Sequence, residues 1–401
     1  MFSLSDFCTA SRMSFRVQTQ NMKRVYLDNA ATTPLCDEAR EAMRPYLSDV
    51  FGNADSRHSY GRDAAAALAS ARACIAECIG ASADEVYFTS GGTESDNWAV
   101  KGAAFARGKG RIIASAVEHP AVYESCEQLR RFGFSAEYLP VGKDGAVSPS
   151  SLDGAMAEDV VLVSVMTANN ELGTLQPVRL LAETAHAYGA LFHTDAVQAV
   201  GAVPVDVNVL GADMLSLSAH KFGGPKGFGA LYVRNGVRLE ALHSGGEQER
   251  KKRGGTSDVA GAVGTAAALK AAVARMTEES ARVRALKDGF AARVLNGIDG
   301  ARLNGTTDAE RTLPGIVNFR FDGITGEELL FSLDLAGIAV SNGSACSAGS
   351  SEPSRTLLAL GLTAEEAKGA VRFSFGRANT AEDAERAYTV LRDAVRRLRA
   401  L

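Results

Sequence analysis

Short apolar runs alternate with longer stretches of helical period through the first two-thirds of the chain. The runs lie at 25–27, 86–88, 111–115, 136–139, 160–166, 191–193, 214–218 and 230–233, each bounded by polar or glycine residues, and predict strands. Between them 62–79 (RDAAAALASARACIAECI), 94–106, 120–132 and 178–188 predict helices. Such alternation implies parallel pairing through right-handed crossovers, hence an α/β fold with a mostly parallel central sheet covered by helices on both faces. From about 257 the texture changes. Two long helices, 259–276 and 280–295, precede a strand at 316–321, a helix at 327–335, a strand at 338–341, a turn-rich loop, a strand at 371–375 and a helix from about Thr380. This predicts a large domain over 23–256 and a smaller α+β C-terminal domain over 257–401, with the N-terminal part of the former left open to pack on the latter.

Composition narrows the class. With 401 residues, 46% of them hydrophobic and 22% charged, the chain is long enough for two domains around a large core. A net charge of −4 gives no reason to expect nucleic acid or an anionic membrane as partner. Runs such as VVLVSVM (160–166) fall well short of the roughly 18–20 residues of a membrane span. Residues 1–22 are serine-rich, carry Arg12 and Arg16 but also Asp6, and read as a disordered or non-native extension more than a targeting peptide. Six cysteines without CxxC spacing point to a reducing, cytoplasmic setting. Cys74 and Cys78, one helical turn apart in an alanine-rich helix, read as core packing, so no metal is expected.

In open α/β sheets, ligands bind beyond the carboxyl ends of the strands. Those ends read TSGGTES (89–95), AVEHPAV (116–122), MTANNELGT (166–174), HTDAVQAVG (193–201) and SLSAHKFGGPKG (216–227). Thr93, His119, Asn170, Asp195 and Lys221 recur at steps of roughly 25 residues with one beat skipped, close to one strand-plus-helix unit, and should converge on one sheet edge. Each has an ordinary alternative. The glycine-rich stretch could be a plain turn, Asp195 could cap a helix, and His119 before Pro120 could start one. Jointly they are the parts of a pyridoxal phosphate site: phosphate cradle, stacking aromatic, acid for the pyridine nitrogen and Schiff-base lysine. No GxGxxG follows the first strand, as a nicotinamide or flavin enzyme would require.

The ordered motifs VYLDNAATTP (25–34), SGGTES (90–95), ANNELGTLQP (168–177), FHTDAVQAVG (192–201), SAHKFGGPKGFGALYVR (218–234), RGGTS (253–257), SNGSACSAGS (341–350) and VRFSFGR (371–377) make the chain resemble cysteine desulfurases. These belong to the class V aminotransferase group of fold-type-I pyridoxal phosphate enzymes. The resemblance runs from Arg24 onward and implies that Lys221 holds the cofactor, Asp195 pairs with the pyridinium nitrogen, Gln198 bonds the ring hydroxyl, and His119 stacks on the ring and assists proton transfer. It further implies that Gly92, Thr93, Ser218 and His220 hold the phosphate, and that Thr256 reaches the phosphate of the neighbouring subunit in a homodimer. Asn170 and Arg372 would fix the substrate carboxylate, the arginine by a bidentate pair, with Asn29 assisting.

Cys346 stands in SNGSACSAGSSEPS (341–354) among small, turn-forming residues where a buried cysteine would have apolar neighbours. The resemblance makes it the thiol that takes sulfur from L-cysteine, leaving L-alanine, and passes a persulfide to an acceptor protein such as an iron–sulfur scaffold. Glycine and serine flanks suit a mobile loop that carries sulfur out of a cleft. Ala219 replaces the glycine usual before the phosphate histidine, and Ala54 a usual proline. The alternatives are a selenocysteine lyase or related class V aminotransferase, and a sulfur carrier without catalysis.

Overall fold

The computed structural model describes residues 24–342 and 352–400. Its first strand, β1 (Val25–Tyr26), stays out of the main sheet. That sheet is built from β2 (Val86–Thr89), β3 (Arg111–Ser115), β4 (Ser135–Leu139), β5 (Val160–Ser164), β6 (Leu191–Asp195), β7 (Met214–Ser218) and β8 (Gly229–Val233). The order is β2-β8-β7-β6-β5-β3-β4, parallel from β7 to β4. Only β8 runs against the rest of this sheet. The carboxyl ends of β2, β3, β5, β6 and β7 therefore share one edge.

Side chains alternate across a strand, so a sheet covered on both faces needs apolar residues at successive positions. Ile112, Leu162 and Met214 pack with Trp98 and Val122 of the helices Gly92–Arg107 and Pro120–Arg130. Their immediate neighbours Ile113, Val163 and Leu215 pack on the opposite face, the first two with Leu181 and Ala185, the third with Leu68 and Ile75.

The C-terminal region adds an antiparallel sheet of β9 (Ala301–Asn304), β10 (Ile316–Phe321) and, after the short β11 (Ile338–Ala339), β12 (Ala370–Ser374), in the order β12-β10-β9. β11 pairs in parallel with β1, so the start of the chain belongs spatially to this region. Phe290 centres its core, with ring centroids 4.9 Å from Phe373, 5.4 Å from Phe375 and 6.2 Å from Phe319.

The two helices expected at 259–276 and 280–295 are one, Val259–Gly297. The polar stretch between them is Thr277, Glu278 and Glu279, which holds two good helix formers and no glycine or proline. Thr277 and Glu278 are exposed because the helix passes there from one core to the other, from Leu269 and Ala272 beside Ile75 to Phe290 and Val294 in the aromatic cluster. By length and composition this helix could cross a membrane, yet Ala262, Leu269 and Ala272 of its apolar half are buried against the rest of the protein.

Phe290→Ala should cost about 3–5 kcal/mol, the range for truncating a core phenylalanine. Denaturant unfolding followed by circular dichroism measures it, and a loss below about 1 kcal/mol would show that the ring cluster is not the core of this region.

Candidate active site

The helix Gly92–Arg107 follows β2 directly, with Gly91 at its N-cap in a conformation that side chains rarely adopt (φ 149°). A Cβ on Gly92 would stand 2.7 Å from a methyl of Val197, so glycine is required for this approach. The first N–H groups of such a helix lack intrahelical partners and face a developing anion site. β3 leads to His119, β6 ends on Asp195, and β7 ends on Ser218 before a single 3₁₀ turn, Ala219–Lys221, that carries the lysine. Ala219 is fully buried there, and a Cβ on Gly224 would come within 2.7 Å of its own.

Gly92, Thr93, His119, Asn170, Asp195, Gln198, Ser218, His220, Lys221 and Arg372 line one cavity of about 150 Å³. Asp195 is 5% exposed, and its Oδ1 accepts the Val197 N–H at 2.8 Å. Burial raises its pKa to about 6, while that N–H and the Lys221 charge pull it down, so it stays ionised at neutral pH. His119 Nδ1 accepts the Ala121 N–H at 3.1 Å, which caps the helix and leaves the imidazole proton on Nε2. Burial, then the charges of Lys221 and Arg355, lower its pKa to about 4. His220 falls to about 4 for the same first reason, helped by Lys221 and Lys226, and its Nδ1 lies 3.1 Å from Thr32 Oγ1. Both histidines are neutral. Lys221 Nζ donates to the carbonyls of Ala30 and Ala31, the second at 3.0 Å, and Gln198 Nε2 donates to Ala30 O at 2.9 Å.

Arg372 differs from expectation. It is 1% exposed, and its Nη1 and Nη2 already donate at 2.8 Å to Asn170 O and Asp28 Oδ1. Only Nε has no hydrogen-bond partner among the described residues. The two-pronged grip on a substrate carboxylate is therefore not the arrangement present, because Asp28 needs the same cation. Asn29 lies outside the Lys221 cavity: its amide donates to Ser374 O at 2.8 Å and Asn379 Oδ1 at 3.2 Å, and it lines an adjoining cavity of about 290 Å³ that also reaches Gln198 and Lys221. Thr256 is exposed and lines a different hollow, beside Ser90 and Glu249. Cys346 falls outside the described residues. The described flanks of its loop meet the cavity's residues: Ser341 pairs with Arg372, and Ser354 Oγ donates to Glu171 Oε2 at 2.6 Å, next to Asn170.

The cavity also includes Ala30, Ala31, Met166, Val197 and Asp96, which the motifs did not single out. For Asp96 a signal existed. It shares the buried face of its helix with Gly92, Ser95, Ala99, Val100 and Ala103, and a carboxyl at that spacing is out of place in a core.

A pyridoxal phosphate fits these residues. A buried carboxylate suits the ring nitrogen, a neutral imidazole the ring face, and the glycine-lined helix start the phosphate.

The aminotransferase class-V family model matches residues 25–387. The chain is 48% identical over 384 residues to the cysteine desulfurase IscS of Dictyoglomus turgidum, covering 95% of this chain and 97% of that one. It is also 48% identical to the cysteine desulfurase IscS of Methanosarcina thermophila, over 96% and 94% of the two chains. Among solved structures, a NifS-like protein superposes with a TM-score of 0.87 at 36% identity, covering 94% of this chain and all of its own. SspA in complex with cysteine does so at 0.78 and 35%, covering 89% and 100%. A match along nearly the whole length, on a fold that brings the motif residues to one cavity, means that the chain belongs to the class-V aminotransferase family of pyridoxal phosphate enzymes.

Proposed function

We propose that this protein is a cysteine desulfurase that moves sulfur from L-cysteine to Cys346 and leaves L-alanine, supplying iron–sulfur clusters or other thio-cofactors. What supports this most is the meeting of Lys221, Asp195 and His119 at one buried cavity whose neighbours Arg372 and Glu171 hold the two flanks of the Cys346 loop. A relative named cysteine desulfurase over nearly the full chain, and a structural neighbour titled as binding cysteine, point the same way.

Pyridoxal phosphate, when bound, supplies an electron sink for the pair released at the substrate's α-carbon. Gly92, Thr93, Ser218 and His220 would hold its phosphate, Gln198 its hydroxyl, and Lys221 its aldehyde carbon. Asp195, anionic at neutral pH, would hold a proton on the ring nitrogen. Lys221 and the neutral His119 move the proton of the α-carbon. Asn170 and the Arg372 Nε, buried and without a hydrogen-bond partner among the described residues, would offer donors to the substrate carboxylate. The Cys346 thiolate attacks the substrate sulfur, so a sulfur–sulfur bond forms as the carbon–sulfur bond breaks; the carbon keeps the electron pair and takes a proton. Thr256, exposed and outside its own chain's cavity, fits a homodimer in which it serves the partner's site. The four free cysteines among the described residues accord with a reducing, cytoplasmic setting.

Incubation with L-cysteine should add sulfur to Cys346 in intact-mass and peptide spectra. Cys346→Ser should keep the visible band of the lysine-bound cofactor but form alanine at least about a hundredfold more slowly, as expected on losing a covalent nucleophile. Alanine release at the wild-type rate would refute the assignment.

The role given to His119 needs a neutral ring, and His220 is neutral as well. Their folded pKa of about 4 lies below the ordinary 6.5, so between these values the unfolded chain binds protons that the folded one refuses. Stability should therefore be fully present above about pH 6.5 and fall as the pH drops toward 4. Urea unfolding of the cofactor-free protein checks this: His119→Gln should flatten the slope, and an unchanged slope would mean that the ring is not held neutral.

A further inference from the structure

A second carboxyl stands at the cavity floor, unused by the roles above. Asp96 is 1% exposed and lines the same cavity as Asp195. Its Oδ1 has no hydrogen-bond partner among the described residues and lies 3.7 Å from His193 Nε2, beyond bonding reach. The Ser216 hydroxyl lies within interaction reach of the Asp96 carboxyl and stands 3.0 Å from His193 Nε2, while His193 Nδ1 is 2.8 Å from Ser164 Oγ. A closed polar chain thus runs Asp96, Ser216, His193, Ser164 under the floor.

Two carboxylates in one dry cavity cannot both ionise without heavy cost. Asp195 has the Val197 N–H and the field of Lys221 to stabilise its charge. Asp96 has one hydroxyl, and the titratable groups that face it are the carboxyls of Asp195 and Glu118. His193 brings no charge, since complete burial holds its pKa at about 3. Glu118 is itself pushed up to about 8 by burial, against hydrogen bonds from Ser115 Oγ and the Met166 N–H.

We propose that Asp96 is a positioning residue for Asp195: a neutral acid that leaves Asp195 the one ionised carboxyl of the floor and donates its O–H to Ser216. Ser216 then gives its own proton to His193 Nε2, and His193 Nδ1–H serves Ser164, so each of the three links has one donor and one acceptor. That Asp195 serves the cofactor rests on the proposed function; the protonation of Asp96 does not.

Full-length protein stripped of cofactor tests this by infrared spectroscopy at pH 7, in the carbonyl region of protonated carboxylic acids. Asp96→Asn should remove one acid band, distinct from the band lost in Glu118→Gln. The dissociation constant for pyridoxal phosphate, read from absorbance, should rise about tenfold or more in Asp96→Ala and return to within about threefold of wild type in Asp96→Asn, as for one lost and restored buried hydrogen bond. Acid bands left unchanged by Asp96→Asn would overturn the proposal. So would an Asn variant that binds as weakly as Ala, because a required negative charge would then be missing. If Asp96→Ala does not fold, the infrared comparison still decides. Failure of the wild type to bind the cofactor would count against the proposed function and leave that comparison standing.

Discussion

A single buried guanidinium joins the parts of this protein. Arg372 comes from β12 of the smaller sheet, and its two terminal nitrogens are held by Asp28 of the N-terminal segment and by the Asn170 carbonyl beyond the end of β5 in the larger sheet. Burying a cation is tolerable only when good partners replace water, and removing one partner strands the other charge. Three stretches far apart in sequence are thus held to one geometry. The N-terminal segment repeats the pattern: β1 pairs with β11, Ala30 N donates to Ser374 Oγ, and the Ala30 carbonyl takes hydrogen bonds from Gln198 and Lys221. The cavity lies at this seam, so the same contacts that join the two regions set the position of the lysine.

Much of this was legible because strand ends in an α/β sheet must converge. Parallel pairing puts the carboxyl ends on one edge whatever the crossovers contain, so Thr93, His119, Asn170, Asp195 and Lys221 met as expected. What escaped depends on interactions with no local pattern. The reversal of β8 follows from a direct return from β7 through 219–228, which no periodicity announces. The union of helices 259–276 and 280–295 was hidden because a polar patch reads as an end, although polarity alone does not stop a helix of good formers. Arg372 was rightly placed at the cavity, but its ties to Asp28 and Asn170 are long-range pairings that neither segment shows by itself.

Low dielectric gives the site its protonation pattern. Burial is the largest influence on His119, His193, His220, Asp195 and Glu118, and it always opposes the charged form. The imidazoles are kept neutral and Glu118 is kept protonated. Asp195 remains ionised at neutral pH because it alone combines a backbone N–H with a nearby ammonium.

The ordinary and the chemical roles weighed for His119 and Asp195 are not rivals. Capping its helix occupies His119 Nδ1, and that occupation decides the tautomer, presenting Nε2–H. The turn bond from Val197 occupies Asp195 Oδ1, which both orients the carboxylate and lowers its pKa against burial. In each case the local backbone contact that first looks like an alternative to function is what sets the side chain's direction and charge. Substituting either residue therefore changes a turn and a protonation state together. Separating the two requires replacements that keep the acceptor while altering the charge, which Asn at 195 does and Ala does not.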